Sequence, residues 1–169
     1  SFKDIVNDNK KVKNEKKKTS NIKIIWSKLK ALSNKFRNNN VPNKKSDCFW
    51  CSCPFDTPPF YIPSCEKNKT IEVYGSFCSA ECAVAFLMNE KIDSSVKWER
   101  YALINNVYRG ILNYKKNIKP APSPFYTLEK YYGNLTIEEY RNLLKKDNLL
   151  IVVDKPLTKI FPELHDDTN

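Results

Sequence analysis

The chain has 169 residues, 41% of them apolar, and a formal net charge of +10 at pH 7. This length and composition allow one domain with extensions around a core of ordinary size. No run of about 18 or more apolar residues is present, so the sequence offers no membrane-spanning helix. The lysine-rich start also lacks the apolar segment of a secretory signal. We therefore expect an intracellular protein.

The positive charge is concentrated near the start of the sequence. Residues 1–46 hold 14 Lys and Arg against three acidic residues, whereas residues 47–169 hold 15 basic and 16 acidic residues. An excess of this kind favours an anionic partner such as nucleic acid. The candidate nucleic-acid- or phosphate-binding residues are Lys16, Lys17, Lys18, Lys23, Lys28, Lys30, Lys35, Arg37, Lys44 and Lys45.

The first 46 residues divide into two parts by their pattern. Residues 1–18 are rich in Lys and Asn and poor in large apolar groups, which predicts a disordered basic arm. Within residues 19–46, apolar residues then recur every three or four positions, which predicts an amphipathic basic helix followed by a linker. The helix can dock on the protein's own core, on a partner helix or on an anionic surface. Its apolar stripe consists of Ile22, Ile25, Leu29, Leu32 and Phe36.

Residues 47–92 carry all six cysteines and are predicted to form a small module. The runs Phe60–Pro63 and Thr70–Gly75 are rich in aromatic and β-branched residues and are separated by a polar segment, which predicts a β-hairpin. Ser79 is a candidate N-cap for a helix that ends near Lys91.

Residues 93–169 are predicted to form a helical region packed on this module. A helix opens near Asp93 with an apolar stripe of helical spacing. Three prolines within residues 120–124 favour an extended crossing, and Thr136 with Glu139 forms a capping box that begins a further helix. The run 149–153 is either a strand or a buried tail segment. The apolar stripe consists of Trp98, Tyr101, Ile104, Val107 or Tyr108, Ile111 and Leu112.

The cysteines occur as two close pairs, Cys48-x2-Cys51 and Cys78-x3-Cys82, with Cys53 and Cys65 between them. In an intracellular compartment, clustered cysteines are more often thiolate ligands than disulfides. Two pairs on separate segments suit the tetrahedral Cys₄ site of one structural zinc ion.

Other interpretations of the cysteines explain fewer of them. A redox pair at Cys48 and Cys51 would not need the second pair. Cys53 is the alternative metal ligand, in place of Cys51, and Cys65 is a spare thiol. The single histidine, His165, lies in a polar segment, so we expect its side chain to be exposed to solvent.

The predicted fold is therefore α+β and mostly helical. A small treble-clef-like zinc finger, made of a knuckle, a β-hairpin and a helix, is followed by a helical region and preceded by the basic arm and helix. The metal would replace part of a core that about 45 residues cannot build alone.

Four stretches carry a resemblance to a known family: "CFWC", "FDTPPFYIP", "YGSFCSAECAVAF" and "KPAPSPFYTLEKYYGNLTIEEYR". In this order they resemble the late-transcription-factor-like proteins of large nucleocytoplasmic DNA viruses, of the poxvirus and African swine fever virus type, which carry an FCS (MYM-type) zinc finger. The resemblance covers Cys48 to about Leu144 and leaves the basic arm outside.

The resemblance implies a zinc-finger transcription factor for late viral genes, acting in cytoplasmic factories of the infected host cell. By position it implies Cys48, Cys51, Cys78 and Cys82 as the zinc ligands. Two features depart from the family pattern. Ser52 separates Cys51 from Cys53, where family members often have adjacent cysteines, and Tyr132-Gly133-Asn134 replaces a Phe-Gly-Gly.

The sequence favours three classes of function to different degrees. The first is a factor that associates with nucleic acid or viral transcription proteins, with the basic arm on phosphates and Trp26, Phe49 and Trp50 as stacking faces. The second is a non-catalytic adaptor or inhibitor that binds host signalling proteins, or a small phosphorylated nucleotide, through its finger, its basic surface and its aromatic helices. The aromatic residues of those helices are Trp98, Tyr101, Tyr108, Tyr126, Tyr131 and Tyr132.

The third class, an enzyme, is the least favoured. A catalytic zinc needs an open coordination position and commonly His or carboxylate ligands. Asp56 and Glu81 could act as an acid–base pair, but solvated or capping carboxylates are far commoner. The sequence therefore favours a protein that is not an enzyme.

Overall fold

A computed structural model describes residues 2–38 and 46–145, with side chains from Lys10 onward in the first range. In this part of the chain the fold mixes helices with one small sheet, and about half of the residues are helical. The elements are α1 Phe2–Ser33, β1 Phe36–Asn38, β2 Phe60–Lys67, β3 Thr70–Phe77, α2 Ala80–Asn89, α3 Ser94–Tyr108, α4 Pro124–Thr127 and α5 Ile137–Lys145, with a 3-10 turn at Glu129–Tyr131.

The predicted β-hairpin is confirmed, and its strands are longer than expected. β2 and β3 pair antiparallel, with Lys67 opposite Thr70. Asn68 and Lys69 between them both have positive φ, at 50° and 65°. This backbone is that of a two-residue type I′ turn, whose twist matches the twist of the strands that it joins.

The third strand, β1, was not predicted. It pairs parallel with the free edge of β3, which gives the strand order β1-β3-β2. Phe36, which the sequence pattern places on the helical stripe, is the first residue of β1 and faces Ile71 across the ladder. The helix ends at Ser33. The last residue of the predicted stripe therefore lies on an extended strand, although its spacing in the sequence is that of a helix.

One face of the sheet and the helices α2 and α3 enclose the core. In β3 the buried residues alternate along the strand, as expected for a sheet with one covered face. Gly75 sits in this strand with φ +78°, and a Cβ there would lie 2.4 Å from the Phe77 ring. The largest fully buried side chains in the described residues include Tyr108, Tyr140, Phe77, Ile62, Leu87 and Ile104.

Helix α1 is longer than the sequence pattern predicts. Residues 2–18, for which we predict disorder, are helical and continuous with the predicted helix. Lys and Glu are good helix formers, this segment has neither Gly nor Pro, and propagation from an existing helix avoids the cost of nucleation. The helix is anchored near its end, where Leu29 is 6% exposed and Ile25 and Leu32 pack against the core.

Two predicted helix caps are confirmed. Ser79 caps α2, and the Thr136–Glu139 capping box is confirmed by reciprocal hydrogen bonds of 3.4 and 3.2 Å at the start of α5. Residues 117–123 have no regular secondary structure, and Pro124 opens the short α4.

Several expectations are not addressed by this part of the chain. The predicted apolar run 149–153, His165, Lys44 and Lys45 lie outside the described residues. Within the described residues, no helix combines the length and the apolar character needed to span a bilayer.

Candidate metal centre

The first cysteine pair lies in a tight turn. The Ser52 N–H donates to the Cys48 carbonyl at 2.9 Å, and the Cys48 N–H donates to the Cys53 carbonyl at 3.1 Å. Ser52 adopts a left-handed conformation with φ 60°. We call residues 48–54 the knuckle. These backbone hydrogen bonds hold Cys48 and Cys51 close together without any contribution from a metal.

The second pair lies at the beginning of α2. Cys78 precedes the helix, and the Ser79 hydroxyl accepts a hydrogen bond of 3.1 Å from the Cys82 N–H as the N-cap. Cys82 therefore stands in the first helical turn, near the positive end of the helix dipole, which stabilises thiolates. The knuckle is joined to this segment by a 2.9 Å bond from the Phe49 N–H to the Ser76 carbonyl.

These two segments bring four sulfurs together. The sulfurs of Cys48, Cys51, Cys78 and Cys82 all lie within 4.8 Å of one another. Cys51 Sγ is 3.7 Å from Cys78 Sγ, which is 3.8 Å from Cys82 Sγ. A regular tetrahedron with a zinc–sulfur bond of about 2.3 Å has edges of about 3.8 Å. The cluster therefore has the size of a tetrahedral thiolate site.

The electrostatics of the cluster also favour a cation. Hydrogen bonds from Cys51, Cys78 and Cys82 lower the pKa of Cys48, whereas its contacts with the other three sulfurs, together with burial, raise the pKa of Cys82. Ionisation of one thiol thus opposes ionisation of its neighbours. The four thiols cannot all become thiolates in a buried site unless positive charge is added. A divalent metal ion that binds sulfur ligands would supply that charge, and four cysteine sulfurs are a suitable ligand set for such an ion.

The remaining cysteines have other surroundings. Cys53 is 7% exposed and, among the described residues, is not in the four-sulfur group. Burial, followed by the nearby Cys51, raises its pKa. The Cys65 thiol donates to Glu72 Oε2 at 3.3 Å on the hairpin.

Side chains from the C-terminal region contact the knuckle. The sequence predicted that this region packs on the module but did not indicate which residues make the contacts. The Trp50 indole and the Tyr140 hydroxyl both donate to the Pro122 carbonyl, at 3.1 and 2.6 Å. Ser52 Oγ lies 2.6 Å from the Tyr131 hydroxyl. The sequence signal was the stretch 119–141, which shares the family resemblance although it contains no cysteine or histidine.

Two cations of the C-terminal region donate to knuckle carbonyls. Lys130 Nζ donates to the Ser52 carbonyl at 2.8 Å, and Arg141 Nη2 donates to the Pro54 carbonyl at 2.8 Å. Both bonds join residues more than seventy positions apart in sequence, so the knuckle depends on the C-terminal region for its shape as well as on its own turn.

The basic candidates are accessible. Those in the described residues are all exposed: Lys16, Lys17, Lys18, Lys23, Lys28, Lys30, Lys35 and Arg37. Of the proposed stacking faces, Trp26 and Phe49 are 39% and 51% exposed, whereas Trp50 is partly buried and bonded to Pro122.

The aromatic residues of the adaptor hypothesis divide in the same way. Tyr108 is buried and accepts the Tyr61 N–H, so it belongs to the core, whereas Trp98, Tyr126 and Tyr132 are exposed. Among the acid–base candidates, Glu81 is 8% exposed and accepts a hydrogen bond from the Tyr114 hydroxyl, while Asp56 is exposed.

Comparison with known proteins finds a viral relative. No family model matches the chain, and no solved structure matches it. An uncharacterized protein, 026R, of Invertebrate iridescent virus 3 is 39% identical over 70 residues, which are 41% of this chain and 30% of the viral protein. The match thus spans less than a third of that relative's length. The similarity indicates a viral protein and assigns no activity.

Proposed function

We propose that Cys48, Cys51, Cys78 and Cys82 bind one structural zinc ion, and that the chain is a viral late transcription factor of the zinc-finger type. The observation that supports the zinc site most directly is the spacing of the four sulfurs, with neighbouring pairs at 3.7 and 3.8 Å. Zinc is the metal most often held by four cysteines in closed structural sites. Elemental analysis of the purified chain tests this part, with about one zinc per chain expected.

The finger that this ion would hold has the order knuckle, hairpin, helix. We propose a treble-clef-like arrangement in which the ion joins the knuckle to the first turn of α2. Such a site leaves no open coordination position, so zinc would contribute stability and no catalysis. The viral similarity and the resemblance to late transcription factors support the proposal that this finger belongs to a viral transcription factor.

We infer that α1 supplies the contact with nucleic acid. The helix has 32 residues, or about 48 Å, and among its described side chains those that pack on the core, Ile25, Leu29 and Leu32, lie near its C-terminal end. Its residues include ten Lys against Asp4, Asp8 and Glu15. A rod of this kind can lie along a phosphate backbone, where each neutralised phosphate releases counterions.

The test is duplex DNA binding measured at several salt concentrations. The variant Lys16→Gln/Lys17→Gln/Lys18→Gln removes three charges from α1. The matched control, Lys115→Gln/Lys116→Gln/Lys119→Gln, removes three exposed charges elsewhere. We expect the first variant to bind more weakly and to reduce the salt slope by up to about 3. Equal affinities and slopes for the two variants would refute the role of α1.

A second candidate function, an adaptor, is favoured by one specific observation. Phe125, Tyr126 and Tyr132 are 63%, 87% and 100% exposed and lie on the short segment that packs against the knuckle. Exposed tyrosines are typical of protein–protein contacts. If the wild-type chain binds zinc but shows no salt-dependent DNA affinity, the adaptor function replaces the nucleic-acid function.

A further inference from the structure

The knuckle side of the cysteine cluster is approached by a guanidinium from α5. Arg141 Nη2 donates to the Pro54 carbonyl at 2.8 Å, and Arg141 Nε is buried with no hydrogen-bond partner in the described part of the chain. Pro54 ends the knuckle that carries Cys48 and Cys51, and the Cys48 N–H donates to the carbonyl of Cys53, which directly precedes Pro54. The guanidinium thus packs against the backbone that positions two of the four sulfurs.

The charge balance of the site explains why a cation there matters. Four thiolates around one divalent ion leave a net charge of −2, and burying uncompensated charge is costly. The N-terminus of α2 offsets part of this charge through its dipole. Arg141 and Lys130 are the side-chain cations that donate to knuckle carbonyls in the described part of the chain. Lys130 is exposed, whereas Arg141 is partly buried, so solvent screens Arg141 less.

We propose that Arg141 is the outer-sphere counter-charge of the metal centre, and that it couples metal binding to the docking of α5. This inference rests on the zinc site proposed above. The guanidinium places a positive charge against the knuckle that carries Cys48 and Cys51, and it holds the knuckle through the Pro54 carbonyl. Because coupling is reciprocal, the bound metal stabilises the position of α5 as much as Arg141 stabilises the metal.

The test uses the full-length zinc-loaded chain and three variants. Arg141→Gln removes the charge but keeps a donor for the Pro54 carbonyl, and Arg141→Lys keeps the charge. Lys130→Gln is the matched control, since it removes the other cation that donates to a knuckle carbonyl. The measurements are zinc content and the rate of zinc transfer to a chromogenic chelator.

We expect Arg141→Gln to speed zinc release about ten-fold or more, in the range found for outer-shell partners of metal ligands. Arg141→Lys should restore most of the wild-type rate, and Lys130→Gln should release zinc more slowly than Arg141→Gln. Equal release rates for the wild type, Arg141→Gln and Lys130→Gln would overturn the inference. If Arg141→Gln fails to fold, Arg141→Lys decides, because release as fast as from Lys130→Gln or faster excludes a role for the charge.

Coupling to α5 has its own readout. Amide hydrogen exchange over Ile137–Lys145 should speed up when zinc is stripped from the wild type, and the change should be smaller in Arg141→Gln. An unchanged exchange rate in the wild type would exclude coupling. Failure of the inference is separable from failure of the proposed function: no zinc in the wild type refutes the site itself, whereas zinc held equally by all variants refutes the role of Arg141 alone.

Discussion

The knuckle and α1 differ in the range of the contacts that hold them. Around the knuckle, side-chain hydrogen bonds join residues 72 to 87 positions apart, from Trp50, Lys130 and Arg141. From Lys10 to the end of α1, the side-chain hydrogen bonds of Thr19, Ser27 and Ser33 reach carbonyls only three or four positions earlier. A change near the knuckle therefore reaches distant elements, whereas a change on the exposed part of α1 stays local.

The largest effect is expected from loss of a sulfur at the cluster. Cys82→Ser removes a metal ligand in the first turn of α2, so zinc binding and the fold of the finger should be lost together. Zinc content and circular dichroism after purification measure this. Cys65→Ser is the control, because Cys65 lies on the hairpin outside the four-sulfur group, and it should keep both zinc and fold.

A smaller effect is expected where α1 meets the core. Leu29 is 6% exposed, so Leu29→Ala should destabilise the docked end of α1 by about 2–3 kcal/mol through lost burial and a residual cavity. Urea unfolding and amide exchange of residues 22–33 report it. Val12→Ala on the same helix should change stability by less than about 0.5 kcal/mol, because Val12 is 47% exposed.

Gly133→Ala tests the turn that follows Tyr132. A Cβ at Gly133 would lie 2.3 Å from the Thr127 carbonyl carbon, so the backbone must shift, at a cost of about 1–3 kcal/mol. Gly110→Ala is the control, since nothing lies within 4 Å of a Cβ at that position. Thermal unfolding of the two variants should separate them, and equal midpoints would mean that the turn adapts freely.

The smallest effect is expected at the helix cap beside the cluster. Ser79→Ala removes the acceptor for the Cys82 N–H and should cost about 1 kcal/mol. Ser123→Ala is the control, because Ser123 precedes α4 without a side-chain cap bond. If chelator challenge also releases zinc faster from Ser79→Ala than from Ser123→Ala, the cap contributes to the position of Cys82.

Sequence patterns predicted the features that depend on neighbouring residues. The hairpin, the Ser79 cap and the Thr136 capping box follow from local spacing, and the four cysteines that meet are two local pairs. The helix over residues 2–18 was missed because composition alone favours disorder, although the attached helix removes the nucleation cost. The position of Arg141 beside the knuckle was missed because it depends on how α5 packs against a segment 87 positions earlier.

The short strand β1 has a practical consequence for truncation. β1 covers the edge of β3 along Ile71, Glu72 and Val73, and the Ile71 N–H donates to the Lys35 carbonyl just before it. Deleting the basic segment through residue 38 would uncover this edge and leave its backbone groups open to pairing with another chain. A shortened chain that begins between residues 19 and 21 would instead remove seven Lys against three acidic residues while keeping the sheet edge closed against self-association.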